Sequence, residues 1–194
     1  MAAARKSKSK PKTPLKKTAK KTAKKAVKKK TTPKKVPPIP KGTHTITAKL
    51  CFQDAAFAIQ FYEKAFGAKE LYRLSEPSGK VGHAELRIGD STFTVADEYP
   101  EMAILSAKTR GGSPIRLSLS LKSSDAAMER PIAAGCTVVR PLQNEFYGWR
   151  SGVVMEPFDY SWFITSQVEV VSPKEMQKRW LKMLTAHKPE GSVG

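Results

Sequence analysis

From His44 onward, short β-branched runs and one amphipathic stretch follow each other in an order that then repeats. His44–Phe52 alternates apolar and polar positions, which predicts a strand. Asp54 is placed to cap a helix running to Phe66. Ala58, Ile59, Tyr62, Ala65 and Phe66 fall on one face of that helix. Gly67 stands where a helix end takes a left-handed residue. Strands are predicted at Glu70–Ser75, Gly82–Ile88 and Ser91–Ala96, with turns at Pro77–Lys80 and Gly89-Asp90. The order is βαβββ.

The same order recurs. Ile115–Leu121 predicts a strand, Ser124–Ala134 a helix ended by Gly135, and Val138–Leu142, Gly152–Glu156 and Tyr160–Ser166 three further strands. Pro131, inside the second helix, is expected to kink it or end it early. A trace of duplication survives: Tyr62–Ala68 lies opposite Arg130–Cys136 at a constant offset of 68. Neither unit alone is large enough to enclose a core. Together they predict an α+β fold of two βαβββ modules, pairing their sheets into a curved, barrel-like surface with a cavity between. Ser172-Pro173-Lys174-Glu175 then forms a capping box with proline at the first helical position. The helix it opens carries an apolar stripe of Met176, Trp180, Met183 and Leu184, expected to pack on the domain, with Lys174, Lys178, Arg179 and Lys182 on the other faces.

Ahead of this pattern lies a segment of another kind. Residues 1–42 hold 17 of the 35 basic residues and none of the 17 acidic ones, so residues 43–194 keep 18 basic against 17 acidic. The formal charge of +18 therefore belongs almost wholly to the first 42 residues. Six prolines punctuate them, and Leu15 is the one large apolar residue between Met1 and Val27. Such a segment cannot bury enough surface to offset its chain entropy, and disorder is expected. The expected organisation is a tail over 1–42, a domain over 43–170 (modules about 44–98 and 114–167) and a C-terminal helix over 171–186.

The tail's charge points to a polyanion. Lysines that neutralise phosphates release condensed counterions, which gives affinity without sequence reading. Lys16, Lys17, Lys20, Lys21, Lys24, Lys25, Lys28, Lys29 and Lys30 are the candidate nucleic-acid contacts. The tail has no aromatic residue for base stacking and one arginine, Arg5, too few for bidentate guanine reading. A solubilising arm and an anionic membrane surface are the competing readings. The basic start is not followed by an apolar segment, which argues against a secretory signal, and no stretch reaches membrane-spanning length. A cytoplasmic location is expected, at the nucleoid of a bacterium or in the nucleus of a eukaryote. Cys51 and Cys136 sit in apolar runs and read as small buried hydrophobes, with no Cys/His spacing for zinc.

Four runs carry a family resemblance: AAFAIQFYEKAFGAKELYRL, GKVGHAELRIGDS, NEFYGWRSGVVMEPF and VSPKEMQKR. In that order they resemble the vicinal oxygen chelate superfamily, which holds glyoxalase I, bleomycin-resistance proteins and extradiol dioxygenases. The likeness is to its uncharacterised glyoxalase-like branch and spans about residues 42–185. The tail's composition resembles the Lys-rich tails of linker histones and bacterial histone-like proteins.

The resemblance implies a metal held by the first and last strands of each module, usually through His or Gln and Glu. Carried onto this chain, those positions are Thr47, Thr94, Arg116 and Phe163. Phe163 has no donor atom and Arg116 would repel a cation. The expectation is therefore no metal and no cofactor, which removes the basis for glyoxalase I or dioxygenase chemistry. Where similar proteins tend to carry an acid in the FYG-acid-R run, this chain has Trp149. Where they tend to carry Gly-His before the last strand, it has Asp159-Tyr160.

His83 and Glu85, two apart on one strand face, are the candidate acid–base pair; a polar pair on an outer sheet face is the alternative. Tyr147, Trp149, Arg150 and Trp162 are the candidate ligand-pocket residues. Arg150 would hold a carboxylate or phosphate, or form a salt bridge to Glu145 or Glu156. Three functions follow: a metal-free small-molecule binder with a polyanion-binding tail; an enzyme of lyase or isomerase type relying on its own side chains; or a nucleoid-associated architectural protein whose domain serves dimerisation. The first is preferred. The expected partners are a nucleic acid or other polyanion, an unidentified small molecule and a second copy of the chain.

Overall fold

A computed structural model describes residues 38–40 and 43–186. The candidate lysines Lys16–Lys30 lie outside the described residues. The chain divides into units Met1–Pro38 and Ile39–Gly194, and every element belongs to the second.

The first module contains β1 (Lys49–Phe52), α1 (Ala55–Phe66), β2 (Lys69–Ser75), β3 (Val81–Ile88) and β4 (Ser91–Asp97). The second contains β5 (Arg116–Ser120), α2 (Ser124–Ala134), β6 (Thr137–Asn144), β7 (Trp149–Met155) and β8 (Ser161–Gln167). Helix α3 (Pro173–Ala186) follows. Two four-stranded mixed sheets result, in the orders β1-β4-β3-β2 and β5-β8-β7-β6. In each, the first strand runs parallel to the last and the other pairs are antiparallel. The repeat seen in the sequence is thus a repeat of topology.

Helix α1 forms as its pattern dictates. Asp54 accepts from the Phe57 amide at 2.8 Å, and Gly67 closes the helix at φ 65°. Ala58, Ile59, Tyr62, Ala65 and Phe66 are all buried. The buried Asp97 carboxylate fastens the helix to its sheet, accepting from Ala55 N at 2.7 Å and Val81 N at 2.6 Å.

Strand β1 starts later than the alternation from His44 suggests. Its parallel register sets Lys49 beside Thr94, so residues before Ile46 run past the start of β4 at Ser91 and meet no partner strand. Pro131 does not cut α2 short. It falls in the last turn, three residues before the helix ends at Ala134, and the Gly135 cap and the Cys136 amide at 2.9 Å satisfy the final carbonyls.

The core is shared between the modules. Helices α1 and α2 pack together, and Trp162 of β8 stacks on Phe66 with ring centroids 4.4 Å apart and meets Tyr62 edge-on at 5.8 Å. The Tyr160 hydroxyl lies 3.2 Å from both the amide and the carbonyl of Cys51, pinning the edge strand β1 to the second module. Each sheet therefore has one face on this common core and one face turned away from its helix.

Candidate functional site

On the second sheet, the register pairs Val153 with Phe163 and Val154 with Trp162. Trp162 faces the core, so Phe163 and Val153 stand on the face turned away from α2. That face holds a hollow of about 580 Å³ lined by Arg116, Val139, Arg140, Val153 and Phe163, by the β6–β7 hairpin residues Gln143, Glu145, Phe146 and Tyr147, and by Trp180 and Met183 of α3. Its walls are largely aromatic and aliphatic, and it opens broadly to solvent.

The hairpin is shaped by Gly148. Its φ is 87°, and its carbonyl accepts from the amides of Val168 and Glu169. A Cβ there would meet the Glu169 carbonyl oxygen at 2.4 Å. Only glycine lets the following chain pass so close, and that passage brings α3 over the sheet.

Helix α3 is held by one arginine and one indole. Arg179 donates to both carboxylate oxygens of Glu169, at 2.7 and 2.8 Å, to Glu175 at 3.1 Å and to the Phe146 carbonyl at 3.2 Å. Trp180 lies against Phe146 with centroids 5.3 Å apart. The packing expected for the apolar stripe is thus only partial: no residue of α3 is buried, and Leu184 is half exposed.

The charges in the hollow differ in their commitments. Arg140 is ion-paired to Glu145, donates to Ser151 Oγ at 2.9 Å, and lies 5.2 Å from the Phe163 ring centroid. Burial pushes the Glu145 carboxyl upward, but hydrogen bonds from Arg140 and Ser151 outweigh it and hold the group below the ordinary range. Arg116 is exposed on the edge strand β5, and its side chain makes no hydrogen bond or ion pair among the described residues.

The four candidate pocket residues part company. Tyr147 lines this hollow. Trp149 lines a shallow depression with Ser120, Leu121, Lys122 and Gln167. Arg150 turns toward α2, where its Nε and Nη2 grip Asp125 at 2.7 to 3.1 Å. Its partner is thus Asp125, neither Glu145 nor Glu156, and that ion pair holds the Asp125 carboxyl below its usual range. Trp162 is buried and borders a separate cleft of about 400 Å³ between the modules, with Ala48, Phe93 and Leu117.

His83 and Glu85 do share a face. They lie on the first sheet, on the side away from the core residues Ala84 and Leu86. The Tyr72 hydroxyl is 3.1 Å from His83 Nε2, and Glu85 pairs across the sheet with Thr94. These residues are outside the hollow on the second sheet. Neither cysteine is poised to react: burial pushes the Cys136 thiol up to about 12 and raises that of Cys51.

The lining residues that the sequence left unassigned are Val139, Arg140, Gln143, Phe146 and Val153. Periodicity could not have found them: β6 has register irregularities between Val138 and Arg140 and between Arg140 and Gln143, and Phe146 lies in the loop between β6 and β7.

A model of the Glyoxalase/Bleomycin resistance protein/Dioxygenase superfamily matches residues 43–164. The chain belongs to that superfamily. An uncharacterized protein of Mycobacterium tuberculosis is 38% identical over 135 residues, covering 68% of this chain and 79% of that one. The solved structure of an Arabidopsis thaliana gene product superposes with a TM-score of 0.51 at 27% identity, covering 64% of this chain and 98% of that one. TioX from a Micromonospora species gives a TM-score of 0.50 at 23% identity over 66% of this chain and all of TioX, a likeness of fold.

The side chains at the positions where the resemblance implies metal ligands do not suit an ion. Arg116 and Phe163 both line the hollow, one cationic and one without a donor atom, while Thr94 lies on the first sheet. Among the described residues, no three His, Cys, Asp or Glu side chains converge on a point that could hold a metal.

Proposed function

We propose that this chain is a small-molecule-binding member of the superfamily, acting without a metal at the superfamily's ligand positions. In this reading the hollow on the second sheet is the binding site, and the Lys-rich residues 1–42 attach the molecule to a polyanion such as DNA or RNA without reading sequence. One observation carries the binding role: an aromatic hollow of about 580 Å³ contains arginine and phenylalanine where related metal sites need donor atoms. The reading is favoured over side-chain catalysis because His83 and Glu85 stand on the first sheet, apart from that hollow.

Saturation-transfer NMR with a library of aromatic fragments tests it. A subset of fragments should receive saturation from the full-length protein. Val139→Asp, which places a charge on an exposed wall position of the hollow, should abolish it. Fragment binding that is absent from the wild type, or indifferent to V139D, would overturn the assignment.

A further inference from the structure

Six of the eight arginines in residues 43–194 are spoken for. Arg73, Arg140, Arg150 and Arg179 are paired with carboxylates, and Arg110 and Arg130 donate to backbone carbonyls. Arg87 and Arg116 have no such partner among the described residues, and of the two Arg116 borders the cavity walled by Phe146, Tyr147, Phe163 and Trp180 together. Arg140, across the hollow, is no rival anchor because Glu145 and Ser151 already take its donors.

From this contrast we infer that the hollow takes a planar aromatic carboxylate, with the Arg116 guanidinium as anchor for the acid. The inference rests on the second-sheet hollow being the binding site. Within it, Arg116, Arg140 and Glu145 leave one positive charge uncompensated, so a single negative charge on the ligand balances the site. A guanidinium offers paired N–H donors that match a carboxylate in two parallel hydrogen bonds. The ring system lies against the aromatic and aliphatic walls, where offset or edge contacts add to the area buried. The Tyr147 hydroxyl makes no hydrogen bond among the described residues, which leaves a second polar group for a substituent on the ring.

Isothermal titration of the full-length protein tests the inference, with benzoate, 1-naphthoate and indole-3-carboxylate each run against its primary carboxamide. At least one acid should bind about tenfold or more tightly than its amide, as a charge-assisted pair replaces a neutral one. Arg116→Gln should reduce that preference to about twofold or less, with the loss falling mainly on the acid. Since Arg116 is exposed, on an edge strand and unpartnered, R116Q should keep the wild-type thermal midpoint, which serves as the folding control. The Lys-rich segment is present in both proteins, so the difference between them isolates the hollow. Equal affinity for acid and amide in the wild type would overturn the inference while leaving the binding site in place. An acid preference that survives R116Q would overturn it too. Binding of neither acid nor amide would remove the binding-site reading along with it.

Discussion

Arg130 of α2 reaches the end of α1, where its Nη2 donates to the Lys64 carbonyl at 2.9 Å and to the Glu63 carbonyl at 3.2 Å. Helix ends leave their last carbonyls without partners, and a guanidinium there satisfies them while opposing the helix dipole. Gly67 admits it: a Cβ at that position would lie 2.8 Å from Arg130 Nη1. Arg130 and Tyr62 occupy the same position in the two repeats. Tyr62 is instead buried, its hydroxyl 3.5 Å from Glu156 of the second module. The duplicated position has thus become two different ties between the halves. Arg130→Ala should cost about 1–2 kcal/mol, the usual effect of removing a charged donor from its acceptors. Thermal unfolding followed by circular dichroism should report a midpoint several degrees lower, and an unchanged midpoint would refute the role.

Glu156 gives stability a pH dependence of unusual sign. It is fully buried, and its two oxygens accept from the Phe158 amide at 2.8 Å and the Tyr160 amide at 2.9 Å. Burial outweighs those hydrogen bonds and pushes its carboxyl up to about 7. The folded protein therefore holds this proton more tightly than the unfolded chain does. Its contribution is complete below the ordinary carboxylate range and is lost as the pH rises through about 7. Glu70, Glu76, Glu98, Asp125, Glu145 and Glu169 are shifted downward, so their contributions are lost at lower pH, as acid protonates them. The thermal midpoint should fall between about pH 5 and 8, and Glu156→Gln should flatten that slope even if it lowers the midpoint throughout. A slope identical in E156Q would assign the effect to another group.

Much of the fold could be read from the chain because local signals agreed with the global pattern. Asp54 and Gly67 bracket α1, Ser123 and Gly135 bracket α2, and both helices lie within matching strand orders. Where the reading slipped, tertiary partners decided. His44 and Thr45 continue the strand-like alternation, but β4 begins too late to pair with them. Pro131 is tolerated because the helix ends within one turn of it.

The site was harder to read for a geometric reason. In the FYGWR run, a tight hairpin sends Tyr147, Trp149 and Arg150 in three directions, and alternation in β7 directs Arg150 toward α2 and its acid. Spacing along the chain could not reveal that Asp125, twenty-five residues earlier, would claim it. Arg116 entered the sequence reading only as a poor metal ligand, and its freedom from partners is visible only in the folded chain.

Elemental analysis addresses the metal positions directly. The purified protein should contain no stoichiometric zinc, nickel, iron or manganese, and added Zn²⁺ or Ni²⁺ should leave the thermal midpoint unmoved. Ligands that bind only the folded state raise stability by mass action, so a tightly held ion would announce itself as an upward shift. About one retained transition-metal ion per chain would sink the metal-free reading and return the superfamily's metal chemistry to consideration.

The Lys-rich segment makes the most distinctive prediction. Residues 1–42 carry sixteen lysines and Arg5 without one acid, whereas residues 43–194 are nearly neutral. Long-range attraction to a polyanion should therefore come from the segment, with little from the domain. The full chain should bind duplex DNA of any sequence, chiefly through Lys16–Lys35. If about ten lysines engage phosphates, log K should fall against log salt with a slope of about −9. Replacing lysines by alanine should lower that slope step by step, with little regard to which lysine is chosen. Deleting residues 1–40 should abolish most binding and leave the thermal midpoint nearly unchanged, since the core of Leu50 to Val171 lies wholly outside them. A sequence-specific reader would behave otherwise: one or two positions would dominate, and random competitor DNA would fail to displace it. Binding that survives the deletion would place the contact on the domain, with Lys178 and Lys182 of α3 as the exposed cations to test next.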